Sequence, residues 1–183
     1  PGEHKLSFNS KSDEYINSVS YSDKHLGAFM ESVKDDDWYQ NTLFIIVADH
    51  SHNSPRKWRV AQKERFKIPM LWYGEVLKKP YQGSIHSQMG SHIDINKSIL
   101  SQLSIDGSNY EWGSDMFNTS IHTAIPYAFH RGYGIIRPNG YYAFSEDYQK
   151  ILEYHEADSL EEKSLQKDAE LYFQGAFKHY MNL

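Results

Sequence analysis

The chain of 183 residues contains no cysteine, which excludes disulfide staples, thiolate nucleophiles and cysteine-ligated zinc. That absence fits either side of a membrane and does not locate the protein. No apolar run approaches the roughly 20 residues of a membrane-spanning helix, and no signal peptide opens the sequence. Pro1-Gly2-Glu3-His4 reads as a start inside a larger protein. Basic runs are also missing and the formal net charge is -5, so a nucleic-acid binder, which needs a phosphate-tracking basic patch, is not expected. Neither internal repeats nor low-complexity linkers occur. What is present is ordinary globular material, 39% hydrophobic and 23% charged, with a generous 15% of aromatic residues for core and grooves. The length suits one domain with a substantial core.

The stretch around which the rest is organised is Asn41-Thr42-Leu43-Phe44-Ile45-Ile46-Val47-Ala48-Asp49-His50. Consecutive apolar residues from Leu43 to Ala48 between polar neighbours predict a strand buried on both faces, as in a parallel sheet covered by helices. Ligands of open α/β sheets bind beyond the carboxyl ends of strands, where Asp49 and His50 fall. Both side-chain types coordinate divalent metals. The dipeptide also admits a plainer reading, Asp49 starting a turn and His50 an ordinary loop histidine. Adjacent strand residues point to opposite faces, so the two reach one ion only if the backbone has already turned, which Ser51-His52-Asn53-Ser54-Pro55 permits. A tight site needs a further ligand, and His52, His86 and His92 are the candidates within the chain.

In chain order, residues 1–11 read as a loop. Ser12 is the expected N-cap of a helix over about 13–34, with Asp13 and Glu14 in its first turn. Ile16, Val19, Leu26, Phe29, Met30 and Val33 make a stripe suited to packing on a sheet. Asp35-Asp36-Asp37 marks the exit loop, since negative charge is unfavourable at a helix C-terminus; chelation of calcium is the alternative. Beyond the central strand, His52, Arg56, Lys57 and Arg59 form a local positive cluster. A second strand is predicted over 68–74, then a loop over 75–90 carrying His86 and Gln88. Ser91-His92-Ile93-Asp94 matches a capping box with a short carboxylate and opens a helix to about Leu103. Helix, strand, strand, helix with crossover-length connections predicts a layered α/β fold over 1–118. Residues 119–183 predict a small antiparallel sheet packed on the same domain, from strands at 125–129, 133–137 and 141–144. Pro138-Asn139-Gly140 makes the hairpin, because Asn-Gly tolerates positive φ. A terminal helix follows the capping box Ser159-Leu160-Glu161-Glu162, with its stripe on Leu165, Ala169, Tyr172, Phe173, Ala176, Phe177 and Tyr180. Leu171-Tyr172-Phe173-Gln174-Gly175 is similar to a protease-tag scar, but the stripe runs through it unbroken.

Asn41-Thr42-Leu43, the apolar strand and Ala48-Asp49-His50 resemble the second metal-binding segment of the alkaline phosphatase and sulfatase superfamily. The match is nearest to the lipoteichoic-acid-synthase-like branch of membrane-anchored, sulfatase-type proteins. Asn17-Ser18-Val19-Ser20-Tyr21-Ser22-Asp23, Leu26-Gly27-Ala28-Phe29, Lys67-Ile68-Pro69-Met70 and Ser91-His92-Ile93-Asp94-Ile95 extend the similarity across about 13–118. The resemblance implies an alkaline-phosphatase-like α/β/α fold, of which this is the C-terminal portion. It implies Asp49 and His50 as ligands of a divalent metal (manganese, zinc, magnesium or calcium) and a sulfate- or phosphate-ester substrate, including lipid head groups such as phosphoglycerol or phosphoethanolamine. Arg56, Arg59 and His92 would meet the anionic group; surface positions for the arginines, and local packing for His92, are the alternatives. The loop after the pair, with His52, departs from the family's usual glycine. In that family the nucleophile lies on an earlier strand, so no catalytic nucleophile is expected in this chain, whose partner would be the missing N-terminal half. The resemblance places the whole protein at a bacterial inner membrane with this part extracytoplasmic and soluble. A reading from another class is a non-catalytic binding module presenting its aromatic C-terminal sheet.

Overall fold

The computed structural model describes residues 10–52, 57–120, 124–156 and 162–183. They form two compact units, one of Pro1–Trp58 with Arg65–Ser84, the other of Arg59–Glu64 with Ile85–Leu183. No helix among the described residues is long and apolar enough to cross a membrane.

The first unit opens on helix α1, Lys11–Val33. Its cap is Ser10, two residues before the expected Ser12, because the Ser10 hydroxyl accepts from the Asp13 amide at 3.2 Å. The acidic triplet falls in the exit turns as expected. The stripe does not bury a single α1 residue; Ile16, Val19, Leu26 and Phe29 all remain exposed.

Strand β1 is Phe44–Val47 and β2 is Met70–Tyr73. They pair antiparallel, Phe44 opposite Tyr73 and Val47 opposite Met70, which corrects the expectation of a parallel strand buried on both faces. A parallel partner needs a helical crossover, whereas the described part of this connection contains only the 3-10 turn Lys63–Phe66. All four β1 residues are half-buried. Gly74 follows β2 at φ +147°, and a Cβ there would stand 2.4 Å from the Thr42 carbonyl oxygen. Glycine is required at that point both for its backbone angle and for the close approach of the neighbouring chain. Tyr39 closes the end of the pair, its hydroxyl donating to that of Tyr73 at 3.2 Å.

In the second unit, α2 spans Asp94–Gln102. The antiparallel sheet runs β3 (Ile125–Phe129), β4 (Gly132–Arg137), β5 (Gly140–Ser145) and β6 (Lys150–Glu156) in sequential order, and α3 is Glu162–Met181. Three strands match the expected ones and β6 is additional. Its pairing with β5 shifts register at Ala143/Phe144, so Ala143 faces Glu153 and Phe144 faces Ile151, and the bulge removes the alternation that signals a strand. The β4–β5 hairpin also differs in detail. Gly140 already pairs with Arg137, leaving Pro138-Asn139 as the turn, with Pro and Gly at the positions a type I turn favours. The positive φ values lie instead at other strand connections, at Arg131 and Gln149.

Ile135 and Tyr142 on the sheet bury against Leu165 and Ala169 on α3, one helical turn apart. Arg137 extends the contact, forming an ion pair with Asp168 and donating from Nη1 to the Ser164 hydroxyl at 3.2 Å. Phe177 and Tyr180, further along the predicted stripe, are exposed. The capping box proposed at 159–162 begins outside the described residues.

The Tyr142 hydroxyl is buried and has no hydrogen-bond partner among the described residues. Burial pushes its pKa up to about 12. A tyrosine raised above its unfolded value of about 10 stabilises the fold fully below pH 10 and loses that contribution as pH rises through about 12. Tyr142→Phe removes an unsatisfied polar group from the core and is expected to raise stability by about 1 kcal/mol at neutral pH. In urea melts across pH 7–12, the variant should lose less stability than the wild type between pH 10 and 12.

Candidate metal and anion site

The strand β1 ends at Val47, and the Ala48 amide still reaches the Pro69 carbonyl at 3.4 Å. Asp49 and His50 follow in a bend, so the constraint that sends adjacent strand side chains to opposite faces no longer holds. The two side chains face each other, His50 Nε2 lying 3.5 Å from Asp49 Oδ2. Asp49 Oδ1 accepts from the His50 amide at 2.8 Å, which fixes the carboxylate on the bend. His50 Nδ1 lies 2.9 Å from the Ser51 carbonyl oxygen. Since a carbonyl only accepts, that bond requires a proton on Nδ1, and the neutral tautomer that carries it keeps the Nε2 lone pair for a ligand. Both side chains are largely exposed.

The pair fits a divalent cation in its donor chemistry. One hard carboxylate oxygen and one imidazole nitrogen suit zinc and manganese, and a backbone carbonyl on the distal nitrogen is the usual outer partner of a metal-bound histidine. Ligands of a tetrahedral ion at about 2.0–2.1 Å stand about 3.3–3.4 Å apart, close to the 3.5 Å observed. No group of three or more His, Asp or Glu residues gathers as a metal site among the described residues.

Two further contacts hold the loop. The Ser51 hydroxyl donates to the Arg65 carbonyl. The imidazole of His52 stacks on the ring of Tyr15 of α1, centroids 4.1 Å apart and planes within 6°. Neither Ser51 nor Tyr15 carries a signal in sequence that separates it from a surface residue.

Arg56 lies outside the described residues. Arg59 is in the second unit, where its Nη2 is 2.8 Å from Glu153 Oε1 on β6 and its amide donates to Gln62 Oε1 at 2.6 Å. The same unit holds His86, edge-on to Phe117 with centroids 5.9 Å apart. It also holds His92, exposed in the turn that leads into α2.

That turn is built on Asp94, which sequence reasoning treated only as a cap. Its carboxylate is buried, 3% exposed. Oδ2 accepts from the Ser91 amide at 2.7 Å and the Ser91 hydroxyl at 3.1 Å; Oδ1 accepts from the Ser114 amide at 2.7 Å. The capping box is thus half realised. The carboxylate reaches back as expected, but the Ser91 hydroxyl is drawn to it instead of capping the helix, which starts at Asp94. Ser98, fully buried one turn on, donates to the Asp94 carbonyl at 2.7 Å and accepts from the Met116 amide at 2.9 Å. Gly113 lets the loop come this close, since a Cβ there would lie 2.4 Å from the Ile93 carbonyl oxygen.

Known proteins are similar to the chain in sequence and in fold. The sulfatase family model matches residues 2–105. Lipoteichoic acid synthases of Staphylococcus aureus strains USA300 and NCTC 8325 are 26% identical over 125 residues, 63% of this chain and 19% of theirs. The chain therefore spans about a fifth of the length of these curated relatives. A crystal structure of an alkaline phosphatase superfamily protein from Vibrio parahaemolyticus superposes with a TM-score of 0.69 at 18% identity, covering 98% of this chain and 46% of that one. The expected superfamily and its α/β fold are borne out.

Asp94→Ala leaves the Ser91 and Ser114 amides without their acceptor. Each orphaned buried donor costs about 1–3 kcal/mol, so a loss of about 3 kcal/mol is expected. Urea denaturation with an unchanged m value and a lowered midpoint would check it, and Asp94→Asn, which keeps one acceptor oxygen, should lose less.

Proposed function

The chain belongs to the sulfatase family, and from that premise we propose that it is the C-terminal part of a metal-dependent enzyme acting on sulfate or phosphate esters. One observation carries the reading: Asp49 Oδ2 and His50 Nε2 face each other across 3.5 Å at the end of β1, with His50 Nδ1 tied to a carbonyl. Asp49 and His50 hold a divalent cation in this reading, which when bound neutralises charge on the anionic group. The carboxylate anchors the ion, and the Ser51 carbonyl keeps His50 in the tautomer that can ligate it.

The substrate is an ester of phosphate or sulfate on a lipid head group, phosphoglycerol or phosphoethanolamine in type. Similarity to proteins named lipoteichoic acid synthase supports transfer to a lipid-linked acceptor over simple hydrolysis. Arg56, Arg59 and His92 are the candidates of the whole enzyme for binding an anionic group. The attacking nucleophile and the remaining metal ligands come from sequence outside these 183 residues. So does an anchor that holds this part on the outer side of a bacterial inner membrane.

Calorimetric titration with zinc should show one divalent cation bound per chain, and Asp49→Ala should weaken that binding at least about ten-fold, as loss of a ligand does. Equal binding, or none, in both proteins would overturn the assignment. The chain alone should not turn over p-nitrophenyl sulfate or phosphate diesters; turnover abolished by Asp49→Ala would show that the nucleophile is within it.

A further inference from the structure

We propose that Tyr15 is a positioning residue for the Asp49–His50 pair, acting through its stack on His52; the inference rests on the metal-site reading above. Asp49 and His50 are 87% and 76% exposed, so no surrounding core holds them. A two-ligand set on a surface bend binds an ion only to the extent that the bend already has the binding geometry, because ordering a loop on binding subtracts from affinity. Restraint must therefore come from the bend's own attachments. Upstream it grows directly out of β1. Downstream it is attached at two successive residues, by the Ser51 hydroxyl on the Arg65 carbonyl and by the His52 ring on Tyr15.

The second attachment has the geometry of a specific contact. The planes are within 6° and the centroids 4.1 Å apart, so the rings lie face to face at van der Waals distance. Tyr15 projects from the second turn of α1, a helix that buries none of its residues. The stack thus links the loop to a helical residue and cannot be put down to general core packing.

A helical control exists in the same protein. Tyr21 sits against His25, centroids 4.2 Å apart with planes tilted by 52°, and both residues lie on α1. Tyr21 is exposed, so its loss changes the helix surface.

The test is proton–carbon NMR of the histidine rings in the 183-residue chain, titrated with manganese, whose paramagnetism broadens the signals of a ligating ring even at weak occupancy. In the wild type, His50 broadens first and His52 ring protons show the upfield shift of a stacked ring. Tyr15→Ala should abolish that shift and require about two- to ten-fold more manganese for the same broadening, the range an aromatic pair is worth. Tyr15→Phe, which keeps the ring, should restore both, and Tyr21→Ala should behave as wild type. Wild-type manganese response in Tyr15→Ala, with Asp49→Ala losing it, would overturn the positioning role alone. Unbroadened His50 in the wild type, or broadening unchanged in Asp49→Ala, would overturn the metal site and this inference together.

Discussion

A buried carboxylate is tolerated only where its charge is met by donors, and the second unit is arranged to meet that of Asp94. The turn before α2, the first turn of that helix and the loop at 113–116 converge on it or on Ser98 below it. Each donor is a backbone amide or short hydroxyl, so the loop must come to within hydrogen-bond distance of the helix. That distance is what makes Gly113 obligatory. Burial raises the pKa of Tyr172, and the Asp94 charge adds to the shift, so the carboxylate is felt as far as α3. The backbone carrying His92 is held between Ser91 and Asp94 by the bonds that carboxylate accepts from Ser91.

The elements that were legible in sequence are those whose signal is local. The helix expected over about 13–34, the apolar run at 43–48, the strands around Pro138-Asn139-Gly140 and the stripe through Leu165 and Ala169 all carry their own periodicity or turn chemistry. What was not legible depends on a partner distant in sequence. The antiparallel sense of β1 and β2 follows from their described connection having no crossover helix, which the length of 48–69 alone does not reveal. The strand β6 was hidden because a bulge opposite Ala143 and Phe144 puts Leu152 out of step. Asp94 was readable as a cap, yet its third donor comes from Ser114, twenty residues on.

The site divides in the same way. The Asp49–His50 pair stands out because it ends a long apolar run, and the resemblance to a sulfatase segment holds over the matched residues. Arginines in the following polar stretch offered no such anchor. Arg59 shows why: its partner Glu153 lies on the strand that periodicity missed, so the ion pair was invisible at both ends. The residue next to a motif in sequence is here engaged by a strand from its own unit, which no local pattern around Arg59 signals.

The two candidate binding regions differ in how they are held. His92 sits on a turn fixed by buried, charge-assisted hydrogen bonds, which exclude alternatives because breaking them strands polar groups in the interior. Asp49 and His50 sit on an exposed bend held by local hydrogen bonds, the Ser51–Arg65 bond, a ring stack and the end of a short strand. Contacts of that kind are individually weak and water competes for them, so the bend rests in its observed shape by a small margin. A cation joining the two ligands would add to the margin directly, since it binds the bent form and not the others. In the proposed reading a metal would complete the 3.5 Å arrangement, whereas the Asp94 clamp is complete without any ligand.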